Sequence, residues 1–330
     1  MLSKFILLVL ASLAIVLLPA MIFVYTMLQP VEAVDVHLDS SEKTELVFFA
    51  VGDQGTGNLR QWQVGSAMEE VAMGGIDGVF LLGDNFYRYG VESVHDWQWR
   101  YKFENVYEDT LATTPFYATL GNHDYYGDQI ALISYDLEDR GSGRWQMPSR
   151  DYLKMFGRAG DQALLKVAFI DTGFYLRNPQ DTTQQLDRLL SNSPAARWTI
   201  VVTHVPLVSG NDSDVPPDAR ALWQPILAAH QVDLMLTGHD HNMQLIEQPG
   251  WPLTAIAGVG GKSKQALDNP ELPGLLFYGP GPGFSRLLVN ADQLTIQYFD
   301  DTGLQLSEHH LGANESTAND STSDERTSQN

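Results

Sequence analysis

Between residues 45 and 311 the chain alternates short apolar runs with amphipathic stretches, and each leading run stops on a polar or glycine-rich turn. Leu46–Val51 stops at Gly52-Asp53-Gln54-Gly55, Gly78–Leu82 at Gly83-Asp84-Asn85-Phe86-Tyr87, and Pro115–Leu120 at Gly121-Asn122-His123-Asp124. Trp198–Thr203 runs into His204, and Val232–Thr237 into Gly238-His239-Asp240-His241. Runs of this length and composition predict strands, while Leu59–Met73, Thr182–Leu190 and Pro217–His230 carry helical patterns. Strand–helix alternation predicts an α/β fold, in which sites gather at the carboxyl ends of the strands. The segments Trp251–Val259, Phe284–Val289, Gln293–Phe299 and Gly303–Leu311 read as antiparallel hairpins, which suggests a second sheet packed on the first.

The two ends follow other patterns. Phe5 to Leu28 is a run of 24 residues without a charge, preceded by Lys4 and followed by Glu32, Asp35 and Asp39. As a helix it would span roughly 36 Å, enough to cross a bilayer. Two readings of residues 1–30 stay open: an uncleaved signal-anchor, or a long signal peptide with a cleavage site near Val31-Glu32-Ala33. Either places the body outside the cytoplasm, periplasmic or extracellular, tethered by the helix or secreted if residues 1–33 are removed. Residues 31–44 read as an acidic linker, and 312–330, rich in Ser, Thr, Asn and Asp, as a disordered tail. No internal repeat or Pro/Gly/Ser linker divides 45–311, so one domain is expected there.

Composition narrows the function. With 20 Lys and Arg against 41 Asp and Glu, net charge -21, the chain is poorly suited to gripping a nucleic-acid duplex. The absence of cysteine excludes disulfides, thiolate metal sites and cysteine nucleophiles. What remains is a set of carboxylate, amide and imidazole groups at five predicted strand ends. Each cluster alone could be a capped turn or a solvated loop. Together, with glycine beside four of them, they point to a metal site of oxygen and nitrogen donors suited to iron, manganese or zinc.

The ordered set GDQG, GDNFY, GNHD, VVTH and GHDH resembles the five-block signature of the calcineurin-like metallophosphoesterases. More narrowly it resembles the small, tartrate-resistant type of purple acid phosphatase, and the likeness continues through GDNFYRYGV, GNHDYYGD, RWQMPSRDY, FIDT and GHDHNMQ. The resemblance implies a four-layer sandwich, two mixed β-sheets flanked by helices. It implies an acid phosphatase that hydrolyses phosphate monoesters with a hydroxide held at a dinuclear centre. Asp53, Tyr87 and His241 would hold Fe(III); Asn122, His204 and His239 would hold Fe(II), Zn or Mn; Asp84 would bridge the two. His123 would contact the substrate phosphate and protonate the leaving group, with Asp124 orienting it and Asp240 supporting the histidine loop. Substrates would be small phosphomonoesters, phosphoprotein or nucleotide among them. Formal charges of the two metals less those of Asp53, Asp84 and Tyr87 leave a local positive charge. The surface acids are screened within about 8–10 Å and do not bar phosphate.

Two alternatives stand beside this reading: a two-divalent-metal phosphodiesterase or nucleotidase of the same superfamily, and a catalytically silent surface protein that binds phosphate or metal. The chain also departs from the mammalian-type pattern. No histidine follows His204 until His230, and only GFYLRNPQDTT separates FIDT from Gln184, which predicts an open site. His37, His95, His230, His309 and His310 fit no ligand position.

Overall fold

A computed structural model describes residues 40–172, 179–211, 217–263 and 266–312, together with 15, 17–26, 29, 31–38 and 215. The predicted apolar runs become β1 (Leu46–Val51), β2 (Gly78–Leu81) and β3 (Phe116–Ala118), joined by the short β4 (Trp145–Gln146). All four run parallel, with Ala50 opposite Phe80 and Phe80 opposite Tyr117. A hairpin not read from the sequence, β5 (Tyr152–Ala159) and β6 (Gln162–Phe169), opens the second sheet. It continues through β7 (Ala196–Val202), β8 (Leu234–Thr237), β9 (Met243–Ile246), β10 (Leu253–Ala257) and β11 (Leu275–Gly279). The chain closes with β12 (Gly283–Val289), β13 (Gln293–Asp300) and β14 (Gln305–Gly312).

Each sheet has seven strands, ordered β14-β13-β12-β1-β2-β3-β4 and β11-β9-β10-β8-β7-β6-β5. Both are mixed, as expected of the α/β sandwich. The closing hairpins, however, do not build the second sheet: β12 pairs antiparallel with β1, and β13 and β14 follow outward on the first sheet. Alternation announces a hairpin, but not which open edge it will cover. The Trp251–Val259 segment does join the second sheet, where β10 pairs antiparallel with β9 and parallel with β8.

The layering follows from the two-residue period of the strands. In β7, Trp198, Ile200 and Val202 enter the core shared by the two sheets. Val201 points the other way, onto Leu186 and Leu190 of α3 (Pro179–Ser191) and Trp223 and Leu227 of α4 (Pro217–Ala229). β8 repeats the division, with Leu234 and Leu236 inward and Met235 under the helices. α1 (Leu59–Val71) crosses from β1 to β2, started by Asn58, whose side chain accepts from Gln61 N at 3.1 Å. α2 (Gln129–Leu137) connects β3 to β4.

The segment read as a linker, 31–44, lies along the domain. Val34 N donates to Ser142 O, His37 N to Thr113 O, and Arg158 N to Lys43 O at 2.7 Å. Most of the run 5–28 and residues 313–330 fall outside the described residues, and with them the choice between anchor and signal peptide and the expected tail disorder. Among the described residues no helix is long and apolar enough to cross a membrane.

Two outcomes follow from this packing. Leu236→Ala would open a cavity between the sheets at a fully buried position and is expected to cost roughly 2–5 kcal/mol in denaturant unfolding; a loss well under 1 kcal/mol would contradict the shared core. Asp233, which accepts from Thr199 N at 2.8 Å, has its carboxyl pushed by burial from 3.8 up to about 6. The folded chain therefore keeps that proton where the unfolded chain has released it, and the group's contribution to stability declines as pH rises from about 4 to 6. Asp233→Asn keeps the acceptor and should flatten this stretch of the stability–pH curve; an unchanged slope would assign it to other groups.

Candidate metal centre

The loops after β1, β2, β3, β7 and β8 meet at one end of the sandwich and carry all seven expected ligands. Asp53, Asp84 and His239 hold left-handed backbones, φ 58°, 54° and 67°, so the chain reverses as soon as each strand ends and the side chain turns back over the sheets. Such conformations cost of order 1–3 kcal/mol each and persist where the surroundings impose them. The crowding is severe: a Cβ on Gly121 would sit 2.1 Å from Asp84 N and 2.3 Å from Asp84 Oδ1, so only glycine lets these two loops touch.

The side chains form two adjoining groups. In the first, Tyr87 Oη donates to Asp53 Oδ1 at 2.5 Å, and His241 Nε2 lies 3.2 Å from each of those oxygens. In the second, Asn122 Oδ1 is 3.1 Å from both His204 Nε2 and His239 Nδ1, which are 3.3 Å from each other. Asp84 lies between the groups. Its Oδ1 is 3.4 Å from His204 Nε2, and its carboxylate also faces the Tyr87 hydroxyl. Donor atoms of Asp53, Asp84 and His204 all lie within 4.8 Å of one another. His204 Nδ1 donates to Leu82 O at 2.8 Å; a carbonyl can only accept, so Nε2 of the neutral ring is left with its lone pair toward the site.

Electrostatics shows what this cluster wants. Burial would raise Asp53, but the hydrogen bond from His241, the charges on His204 and His241, and the Tyr87 hydroxyl outweigh it and hold the carboxyl down to about 2. Burial together with Asp53 and Asp84 drives the Tyr87 phenol far above its ordinary range. Burial opposes charge on both inner imidazoles. In His204 the carboxylates win and the pKa rises; in His239 burial, helped by His204, wins and pulls it down to about 4. Two carboxylates removed from water thus favour positive charge on the nearest imidazole against that ring's own burial. A metal cation satisfies the same oxygens and nitrogens directly, and a donor set of carboxylate, phenol, amide and imidazole without thiolate fits iron, zinc or manganese.

His123 lies at the rim, its ring centroid 4.3 Å from that of Tyr87. Its Nδ1 donates to Arg88 O at 2.8 Å, and Nε2 stands 4.0 Å from Asp84 Oδ2. Asp124 does not orient it. That carboxylate is fully buried and accepts from Gly121 N, Asn85 N, Asn85 Nδ2 and Phe86 N, clamping the β3 loop to the β2 loop. The geometry of consecutive loops, not of consecutive residues, decides its partner. Burial and the nearby Asp84 raise its pKa to about 7. Asp240 does support its loop: it accepts from the Ser209 hydroxyl and from Gln244 Nε2, which also reaches Asn211 Oδ1.

Several supporting residues were not singled out from sequence. Thr172 Oγ1 accepts from both His204 N and Val205 N, and the buried Lys102 donates to Tyr87 O and to Gln98 Oε1. Burial pulls the Lys102 ammonium down to about 8. The threonine of FIDT stood inside a quoted block; the lysine carried no signal. His230, outside the site, meets Asp187 Oδ1 at 2.8 Å and ties α4 to α3. The open-site expectation depends on 173–178, which lie outside the described residues.

Fold and donor set together define a metal-dependent phosphoesterase. Residues 35–243 match the family described as calcineurin-like phosphoesterase. The chain is 30% identical over 283 residues to purple acid phosphatase 4 of Arabidopsis thaliana, covering 78% of this chain and 81% of that one. It is 27% identical over 263 residues to tartrate-resistant acid phosphatase type 5 of Homo sapiens, covering 72% and 79%. Among solved structures it superposes on GAP50, the anchor in the inner membrane complex of Plasmodium, with TM-score 0.75 and 24% identity over 83% of this chain and 91% of that one. Purple acid phosphatase PPD1 from yellow lupin seeds gives TM-score 0.64 and 17% identity, over 82% of this chain and 54% of that one. The chain belongs to the calcineurin-like phosphoesterases and, within them, to the purple acid phosphatases.

Removing the Asp124 clamp tests this architecture. Asp124→Ala strands the buried N–H groups of Asn85, Phe86 and Gly121 and is expected to cost about 3 kcal/mol or more in denaturant unfolding. Parent-like stability would show that the two loops are held by something else.

Proposed function

We propose that the protein is an acid phosphatase acting on phosphate monoesters at a dinuclear Fe(III)–M(II) centre, M being iron, zinc or manganese. The observation that carries this is the paired convergence of Asp53, Tyr87 and His241 beside Asn122, His204 and His239, with Asp84 between them. Asp53, Tyr87 and His241 would hold the trivalent ion, because a buried phenol flanked by two carboxylates ionises in acid only against a strong Lewis acid. Asn122, His204 and His239 would hold the divalent one, and Asp84 would serve both. When bound, the metals supply nucleophile activation and neutralise phosphoryl charge.

The remaining chemistry belongs to side chains. With Nδ1–H committed to Arg88 O, His123 presents Nε2 to the site, and it is the imidazolium form of the ring that hands the Nε2 proton to the leaving oxygen and is left as the neutral Nδ1–H tautomer. Leu82 O fixes the His204 tautomer, and Thr172 fixes the backbone on which that ring is mounted. Small phosphomonoesters, including nucleotides and phosphoprotein side chains, fall within this chemistry. We also place the enzyme outside the cytoplasm, on the strength of the uncharged run 5–28 between Lys4 and the acids that follow; recovery of the chain only from inside the cytoplasmic membrane, protected from protease until that membrane is broken, would count against that placement.

Metal analysis, the visible spectrum and aryl phosphate turnover of the full chain test the assignment. One iron per chain at least, a phenolate charge-transfer band under oxidising conditions, and turnover best in acid are expected. Tyr87→Phe should abolish or strongly shift the band, and Asp84→Ala should abolish turnover. His123→Ala should keep metals and band while kcat falls about 10²–10⁴-fold. Zinc or manganese in both positions without a band would favour the two-divalent phosphodiesterase or nucleotidase, and bound metals without turnover a silent binding protein.

A further inference from the structure

The loop after β10, Gly258 to Lys262, is fastened to the Asp53 loop more tightly than its glycine content suggests. Gly52 N donates to Ala257 O at 2.8 Å, Gly260 N to Gly52 O at 3.0 Å and Gly261 N to Asp53 O at 3.0 Å. Asn58, the cap of α1, adds a bond from Nδ2 to Gly261 O at 3.1 Å. A Cβ on Gly261 would fall 2.5 Å from Gln54 O, so the loop lies flat against its neighbour. Lys262 leaves this fastened backbone and sets Nζ 4.4 Å from the centroid of the Tyr87 ring. His123 reaches the same ring from the β3 loop of the other sheet. The chain has only seven lysines and a net charge of -21, so a lysine held at this point opposes the general field of the surface.

We propose that Lys262 is a substrate-binding residue, its ammonium contacting the anionic oxygens of the phosphate ester at the mouth of the site. The inference rests on the phosphatase reading above and extends it to a residue outside the ligand blocks. The chain has no histidine between His204 and His230, and His230 is bonded to Asp187, so it supplies no second imidazole here. The rigid loop places that charge before substrate arrives.

The test is Lys262→Gln in the metal-loaded full chain, with an aryl phosphate as substrate and inorganic phosphate as inhibitor. Loss of one charge-assisted hydrogen bond should raise KM and the phosphate inhibition constant together by about tenfold, while kcat changes by less than about twofold. Visible band and metal content should be unchanged, and Lys262→Arg should recover most of the affinity. An inhibition constant within about twofold of the parent would overturn the proposal, since the phosphate contact would then be worth less than about 0.4 kcal/mol. A shifted band or lost metal would overturn it too, making Lys262 a prop for Tyr87. If the parent itself fails to turn over substrate, the phosphatase reading fails. Calorimetric binding of inorganic phosphate to parent and variant then still decides whether Lys262 meets phosphate.

Discussion

Two carboxylates, on Asp53 and Asp84, are taken out of water at the ends of neighbouring parallel strands. An ionised carboxylate in such a place is untenable without compensating positive charge. The rest of the site answers that demand. Three imidazoles, a phenol and an amide close around the pair, and the backbone bends into left-handed conformations to bring them there. In the protein alone the two carboxylates favour charge on His204 against its own burial; the metals implied by the family would meet the demand directly. The same demand explains why a strongly acidic chain can take an anionic substrate: the field that matters is set within a few ångströms, where surface acids count for little.

The fold makes this cluster possible by facing two sheets so that five loops from both end at one place. The loops after β1 to β3 carry four of the proposed ligands and those after β7 and β8 carry three. Neither sheet alone holds either group of ligands, since Asp53 and Tyr87 need His241, and Asn122 needs His204 and His239. Packing of the shared core is therefore what assembles the proposed metal site, as well as a source of stability. The ties between loops serve the same end. Asp124 joins the β2 and β3 loops, Thr172 braces His204 from the end of β6, and Gly52 bonds to the end of β10.

Much of this was legible in the residues. Strand after strand announced itself as an apolar run, and each stopped at a residue able to bind metal, so the α/β class and the seven candidate positions that the structure brings together could be named by number. The hairpin β5–β6 escaped notice because it carries Lys154, Arg158, Gln162 and Lys166 among its apolar residues. The destination of β12 to β14 escaped because alternation is local and pairing is not. The resemblance sets Asp124 to orient His123, while in the structure its carboxylate turns back under the loop to Asn85 and Phe86.

The division between the two levels has a physical basis. Chemical identity and period are written along the chain: which side chains can bind a hard cation, where apolar runs stop, where glycine permits close approach. These determined the family, the fold class and the ligand candidates. Distance between residues far apart in the chain is decided only when the sheets pack. That packing brings Lys262 to Tyr87, 175 positions away, puts Thr172 under His204 and points Asp124 away from His123. A lysine after two glycines says nothing by itself; fastened to the Asp53 loop and set over the Tyr87 ring, it becomes part of the site.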